Sequence, residues 1–198
     1  MQIAAYQPNI SQEKKWDWKY KSSIKEQLAD QIKLLLGQDL IVLPEAAIPD
    51  YYSSSLDLLI PISDQAKEHD SALIIGIPTL SAKSETRNSI VSLGMGTGTY
   101  HKKRLVPFGE YVPFENQLRG VISFFDLPMS NFLPGKPIQP VLSAKDTVIA
   151  PFICYEIAYP DLVLQEASKA DIIVNVSNDT WFGNSIGPYQ HFSHSKFR

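Results

Sequence analysis

The chain has 198 residues, an apolar share of 44% and a formal net charge of −3. That length suits one domain with a sizeable core, and dispersed charge of both signs argues against a nucleic-acid surface. The single cysteine, Cys154, excludes an internal disulfide and a cysteine-built zinc site, and no apolar run is long enough to span a membrane.

The start, Met1-Gln-Ile-Ala-Ala-Tyr-Gln7, lacks the charged opening and apolar stretch of a signal peptide. It reads as a strand over 2–7. A helix is expected over 11–36, because Trp16, Tyr20, Ile24, Leu28, Ile32 and Leu35 recur at intervals of three and four before Gly37. On this pattern Trp16 and Trp18 are packing residues. The next strand covers 39–45; Leu40 to Leu43 are continuously apolar, as in a strand buried on both faces. Pro44 ends it and leaves Glu45 at the tip. A carboxylate there is either a solvated loop acid or a general base whose pKa burial raises.

An amphipathic helix follows over 56–69, then a buried strand over 71–77 stopped by Pro78. Segments 88–93 and 99–105 flank Gly94-Met-Gly-Thr-Gly98 and read as a hairpin. Without a helix and a Lys-Ser/Thr pair behind them, the glycines are not a phosphate loop. The second arm carries Lys102, Lys103 and Arg104, either a solvated basic edge or the source of one cation for a cleft. Residues 106–140 are irregular and proline-punctuated, yet their apolar content speaks against disorder.

Val148 to Cys154 reads as a buried strand ending on the cysteine. Held there, Cys154 is either a small core residue or a rigidly presented nucleophile. A helix over 161–168, a strand over 171–176, the loop Ser177-Asn-Asp-Thr-Trp-Phe-Gly183 and a helix begun at Tyr189 complete the chain. Strands and helices alternate, so the class is α/β with layered packing. Ligands in such sheets bind beyond strand ends. Glu45, Cys154 and the Trp181 loop each follow an apolar strand, which argues for one site.

Three pieces, Leu43-Pro44-Glu45, Tyr100-x-Lys102-x-Arg104-Leu105 and Ile153-Cys154-Tyr155-Glu156, together resemble the nitrilase (carbon-nitrogen hydrolase) superfamily. The resemblance implies an α-β-β-α sandwich and a Glu-Lys-Cys triad: Glu45 as base, Lys102 as the cation at the oxyanion, Cys154 as nucleophile. Further stretches are similar to the apolipoprotein N-acyltransferase family of Gram-negative bacteria. These are Gln7-Pro-Asn9 with Lys15-Trp16, Leu105-Val-Pro-Phe-Gly-Glu110-Tyr-Val-Pro113, and Asn175-Val-Ser-Asn-Asp-Thr-Trp181-Phe-Gly183 with Gly187-Pro-Tyr-Gln-His191.

That likeness implies acyl transfer from a phospholipid donor, through a Cys154 thioester, to the N-terminal amine of a lipoprotein, with no cofactor and no metal. It implies roles for Trp16, Glu110, Pro113, Tyr155 and Glu156, and the Trp181 loop joins them. Glu110 and Glu156 are expected behind the triad, fixing Lys102 through hydrogen bonds, and Lys102 beside the thiol is expected to favour thiolate. The family domain sits on the periplasmic side of the inner membrane, attached to a multi-helix membrane region. The chain reads as this domain, 1–198, without that region and without the family's final strands. Segment 107–132 is expected to be a mobile, membrane-facing lid led by Phe124, Phe125, Leu127 and Met129. Competing expectations are a soluble nitrilase-type amidase and a non-catalytic lipid- or protein-binding module on the same fold.

Overall fold

The computed structural model describes residues 1–107, 109–111 and 132–198. Phe108, Pro113 and the apolar residues expected to lead the lid, Phe124, Phe125, Leu127 and Met129, lie outside the described residues.

Among the described residues, strand periodicity distributes the apolar side chains among three buried clusters. Along β2 (Leu40–Val42) and β3 (Ala72–Gly76), successive side chains face opposite ways. Leu40, Ala72 and Ile74 enter one cluster, whereas Ile41, Leu73 and Ile75 enter another. The second of these is closed by helices. Leu28 and Ile32 of α2 (Lys21–Leu35) and Leu59, Ile62 and Ala66 of α3 (Leu56–Glu68) pack on it. Burying each large side chain is worth about 1.5–3 kcal/mol, which holds both helices on that face.

The other cluster lies between two sheets. β2 and β3 run parallel to β1 (Ile3–Ala5), and β3 continues antiparallel into β6 (Ser89–Gly94) and then β8 (Thr99–His101), giving the order β1-β2-β3-β6-β8. The second sheet has the order β11-β10-β9-β7, from β7 (Gly96–Thr97), β9 (Leu142–Ala144), β10 (Thr147–Ile153) and β11 (Ile172–Val176). Ile149 and Ile153 of β10 face the first sheet. Ala150 and Phe152 face outward to Leu162 and Val163 of α4 (Pro160–Ala167). The layers are therefore α-β-β-α, as the family resemblance implied. A small hairpin, β4 (Thr79–Leu80) with β5 (Thr86–Arg87), adds a two-stranded ribbon.

Several local expectations change. The single helix over 11–36 is broken into α1 (Gln12–Lys15), a 3-10 turn (Trp18–Tyr20) and α2. Asp17 accepts from the Lys19 amide at 3.0 Å and starts the new turn. The break leaves Trp18 at the surface. The hairpin arms pair as expected, Ile90 opposite Tyr100, but their tip does not stay with them. Residues 96–97 cross to the second sheet and pair with β9, which the sequence did not suggest. The last helix, α5 (Gly187–Lys196), starts two residues earlier than expected. Among the described residues no helix is long and apolar enough to cross a membrane.

Candidate active site

Two sharp turns present Glu45 and Cys154. After β2 the chain turns at Ala46, whose φ of +45° is left-handed. The Leu43 and Ala47 amides donate to Ile74 and Gly76, each at 2.8 Å, and stitch this turn to β3. Gly76 has to be glycine: a Cβ there would collide with the Pro44 carbonyl and lie 2.6 Å from Cα of Glu45. After β10, Cys154 itself takes a left-handed φ of +56° and opens a 3-10 turn (Cys154–Ala158).

Glu45, Lys102 and Cys154 line one cavity of about 340 Å³. Trp16, Glu110, Tyr155 and Trp181 line it as well, with Val106, Phe132 and Phe182 supplying apolar wall. Glu156 lies behind the cavity, fully buried.

Glu45 is held on both oxygens. Oε1 accepts from Asn88 Nδ2 at 2.7 Å and Oε2 from the Asn178 amide at 2.8 Å. Its main-chain oxygen accepts from Lys15 Nζ at 3.0 Å. Burial pulls the Lys15 ammonium down to about 8, against the pull of the Glu45 charge.

Lys102 is 1% exposed, and its Nζ lies 2.7 Å from Glu110 Oε2. Burial opposes its charge, but the Glu45 and Glu110 carboxylates outweigh burial and raise its pKa, so it is a fixed cation. Glu110 also accepts from Asn88 Nδ2 at 2.8 Å and from the Val106 amide at 2.9 Å. Glu156 accepts from the amides of Lys103 (2.7 Å), Arg104 (3.0 Å) and Ile153 (2.9 Å) and from the Tyr100 hydroxyl (3.0 Å). It thereby ties the chain around Lys102 to the chain before Cys154. Glu110 therefore touches the lysine's side chain, while Glu156 holds its neighbouring backbone.

The thiol departs from the sequence expectation. Burial, and then the Glu45 charge, push Cys154 up to about 12; Lys102 and the nearby Ser177 side chain pull the other way but lose. The resting group is therefore a thiol, and it would need a base in order to act as a nucleophile.

Asp179 and His191 complete the surroundings. Their ligand atoms and the Cys154 sulfur lie within 4.8 Å of one another, a sulfur-nitrogen-oxygen set of the kind zinc accepts. Both imidazole nitrogens are already engaged, Nδ1 with Asp179 Oδ1 at 2.8 Å and Nε2 with the Cys154 carbonyl at 2.9 Å. Lys102 also directs its positive charge at the same sulfur. The group is thus better suited to a hydrogen-bonded chain than to a cation.

Sequence reasoning did not single out Asn88, and it treated Lys15, Asn178, Asp179 and His191 only as parts of motifs. Asn88 opens a hairpin arm and the Asn178–Asp179 pair follows β11, so polar residues at strand ends were the available signal.

The family model for carbon-nitrogen hydrolases matches residues 2–198. The chain belongs to the carbon-nitrogen hydrolase family. Its sandwich matches carbon-nitrogen hydrolase folds already solved. One is a carbon-nitrogen hydrolase from Helicobacter pylori, at TM-score 0.60 and 18% identity over 98% of this chain and 66% of that one. Another is an amidase of the nitrilase superfamily from Nesterenkonia, at TM-score 0.59 and 18% identity over 89% of this chain and 64% of that one.

Within this carbon-nitrogen hydrolase family, much closer relatives are named apolipoprotein N-acyltransferase. The protein of that name from Pseudomonas aeruginosa is 45% identical over the whole chain. That from Pseudomonas syringae is 44% identical over the whole chain, and that from Vibrio parahaemolyticus 39% over 99% of it. The chain spans 40%, 40% and 41% of those three relatives.

Proposed function

We propose that this domain is the acyl-transferring part of an apolipoprotein N-acyltransferase. The observation that carries the reading is whole-chain similarity, at 45% identity, to a protein of that name. The cavity suits the chemistry: a cysteine beside a carboxylate and a fixed cation, under apolar and aromatic walls.

In this mechanism Glu45 takes the Cys154 proton as the sulfur attacks the ester carbonyl of a phospholipid. Lys102 and the Tyr155 amide hold the developing oxyanion. The C–O bond breaks, Glu45 returns the proton to the departing lysophospholipid, and an acyl-thioester remains. The α-amine of a lipoprotein's N-terminal cysteine then attacks the thioester, Glu45 accepts its proton, and the thiol is restored as the amide forms. Glu110 fixes the Lys102 ammonium and Glu156 the backbone beside it. Trp16 offers a buried indole N–H that, among the described residues, has no acceptor, so it is available to a ligand oxygen. The membrane surface that supplies the donor, on the periplasmic side of the inner membrane, is part of the same proposal.

Intact mass spectrometry after incubation with phospholipid vesicles tests it. A gain of one fatty-acyl mass, abolished by Cys154→Ala, is expected. An unmodified protein that hydrolyses small amides would overturn it in favour of an amidase.

A further inference from the structure

His191 lies outside the proposed triad, yet both of its ring nitrogens are engaged beside Cys154. It is 3% exposed and comes from α5, 37 positions after Cys154. A carbonyl oxygen only accepts, so Nε2, 2.9 Å from the Cys154 oxygen, carries a proton. Nδ1 lies 2.8 Å from Asp179 Oδ1, which also accepts from Ser177 Oγ at 2.6 Å. With a carboxylate on Nδ1 and a carbonyl on Nε2, both nitrogens donate, so the ring is an imidazolium.

This grip falls on one particular peptide. The Cys154 carbonyl and the Tyr155 N–H belong to the same planar unit and point in opposite directions. The Tyr155 N–H also precedes the first internal bond of the 3-10 turn, so it has no partner within the turn. Fixing the carbonyl toward His191 therefore aims the N–H away from His191, and Cys154 and Tyr155 both line the cavity. A cation on the carbonyl also polarises the peptide and strengthens its N–H as a donor. The left-handed Cys154 needs such an external hold, since that conformation is costly for a residue with a Cβ.

We propose that His191, charged through Asp179, is a positioning residue that aims and polarises the Cys154–Tyr155 peptide, so that the Tyr155 N–H stabilises the oxyanion formed when Cys154 is acylated. The inference rests on the reading of Cys154 as acyl acceptor. The groups facing the ring fit it. Asp179 and Ser177 come from the loop after β11, the Tyr155 ring is 6.3 Å away, and the Glu45 charge adds to that of Asp179 in raising the imidazole pKa.

Two reagents separate this role from a merely structural one. Acetylation of Cys154 by p-nitrophenyl acetate passes through an oxyanion; alkylation by iodoacetamide does not. In His191→Ala, acetylation should fall roughly 10–100-fold while alkylation stays within about threefold, because only the first reaction uses the hole. His191→Gln, which keeps a side-chain N–H donor, should recover much of the loss. Asp179→Asn should lose about 10-fold in acetylation alone, and it carries the test if the alanine variant does not fold. Both rates falling together with the melting temperature in Asp179→Asn, acetylation unchanged in the variants, or a wild-type protein inert to the ester would each overturn the inference. A protein that reacts with the ester in this pattern but never with phospholipid keeps the role of His191 and removes the lipid donor.

Discussion

Asn88 donates from one amide nitrogen to two carboxylates, Glu45 at 2.7 Å and Glu110 at 2.8 Å. Those two acids face a single buried ammonium, Lys102, and would otherwise repel each other. The amide places Glu45 toward the sulfur and Glu110 toward the lysine. Asn88→Ala should cost about 3–6 kcal/mol in denaturant unfolding, because two bonds to charged acceptors, each worth about 1.5–3 kcal/mol, disappear. Asn88→Asp should cost more, since it adds a third negative charge. Equal stability of wild type and Asn88→Asp would show that the bridge does not hold the acids together.

Glu45 has two effects on Cys154 with opposite signs. Its charge raises the thiol, yet in the proposed mechanism it removes the thiol's proton during attack. Alkylation by iodoacetamide depends on thiolate alone. With the thiol near 12, the wild-type rate should climb about tenfold per pH unit from pH 7 to 10 and should not level off at the usual value of about 8.5. Glu45→Gln lowers the thiol pKa, so alkylation at pH 8 should become faster. Acyl-adduct formation should become slower by about 10²–10⁴-fold, because the base is gone. A parallel fall in both rates would contradict the assignment.

Glu156 joins the Lys102 and Cys154 segments through three backbone amides and the Tyr100 hydroxyl. Glu156→Ala leaves those donors buried without an acceptor, at about 1–3 kcal/mol each, and should cost more than about 3 kcal/mol in all. Tyr100→Phe removes one of the bonds and should cost about 1.5–3 kcal/mol. Equal losses in guanidinium titrations would mean that the hydroxyl, not the amides, dominates.

Gly76 tests how finely the proposed base, Glu45, is placed. Gly76→Ala drives a methyl group against the Pro44–Glu45 turn. A shift of about 1 Å in a reacting group can cost 10²-fold, so acyl-adduct formation should drop at least 10-fold. Stability should fall by only about 1–3 kcal/mol, the usual cost of overpacking. Unchanged adduct kinetics in a destabilised variant would show that the turn yields without moving the carboxylate.

The layered class and the placement of Glu45 and Cys154 were legible because their signals are local: an apolar run, then a proline or a polar residue. Lys102 needed a motif, since three adjacent cations share its arm and only packing against Glu110 distinguishes it. Asn88 and His191 were not legible as site residues, because their partners lie 43 and 37 positions away and depend on how the two sheets stack. Trp16 fitted a helical stripe in the sequence. The turn at Asp17 breaks that helix, and Lys15 and Trp16 meet the site instead. β9 is only three residues, Leu-Ser-Ala, too short to show a period. The protonated thiol was misread because a nearby lysine was weighed without the burial and the Glu45 charge that outweigh it.

The most direct test of the acyl-transfer account is a chase of the isolated acyl-protein. Protein carrying a labelled fatty acyl group on Cys154 is mixed with a peptide whose N-terminal cysteine bears a diacylglyceryl group, and both masses are followed. The account predicts that the acyl mass leaves the protein and appears as an amide on the peptide's α-amine, at a rate that falls in Glu45→Gln. Release of the label as free fatty acid, with the peptide unmodified, would contradict it and make water the acceptor.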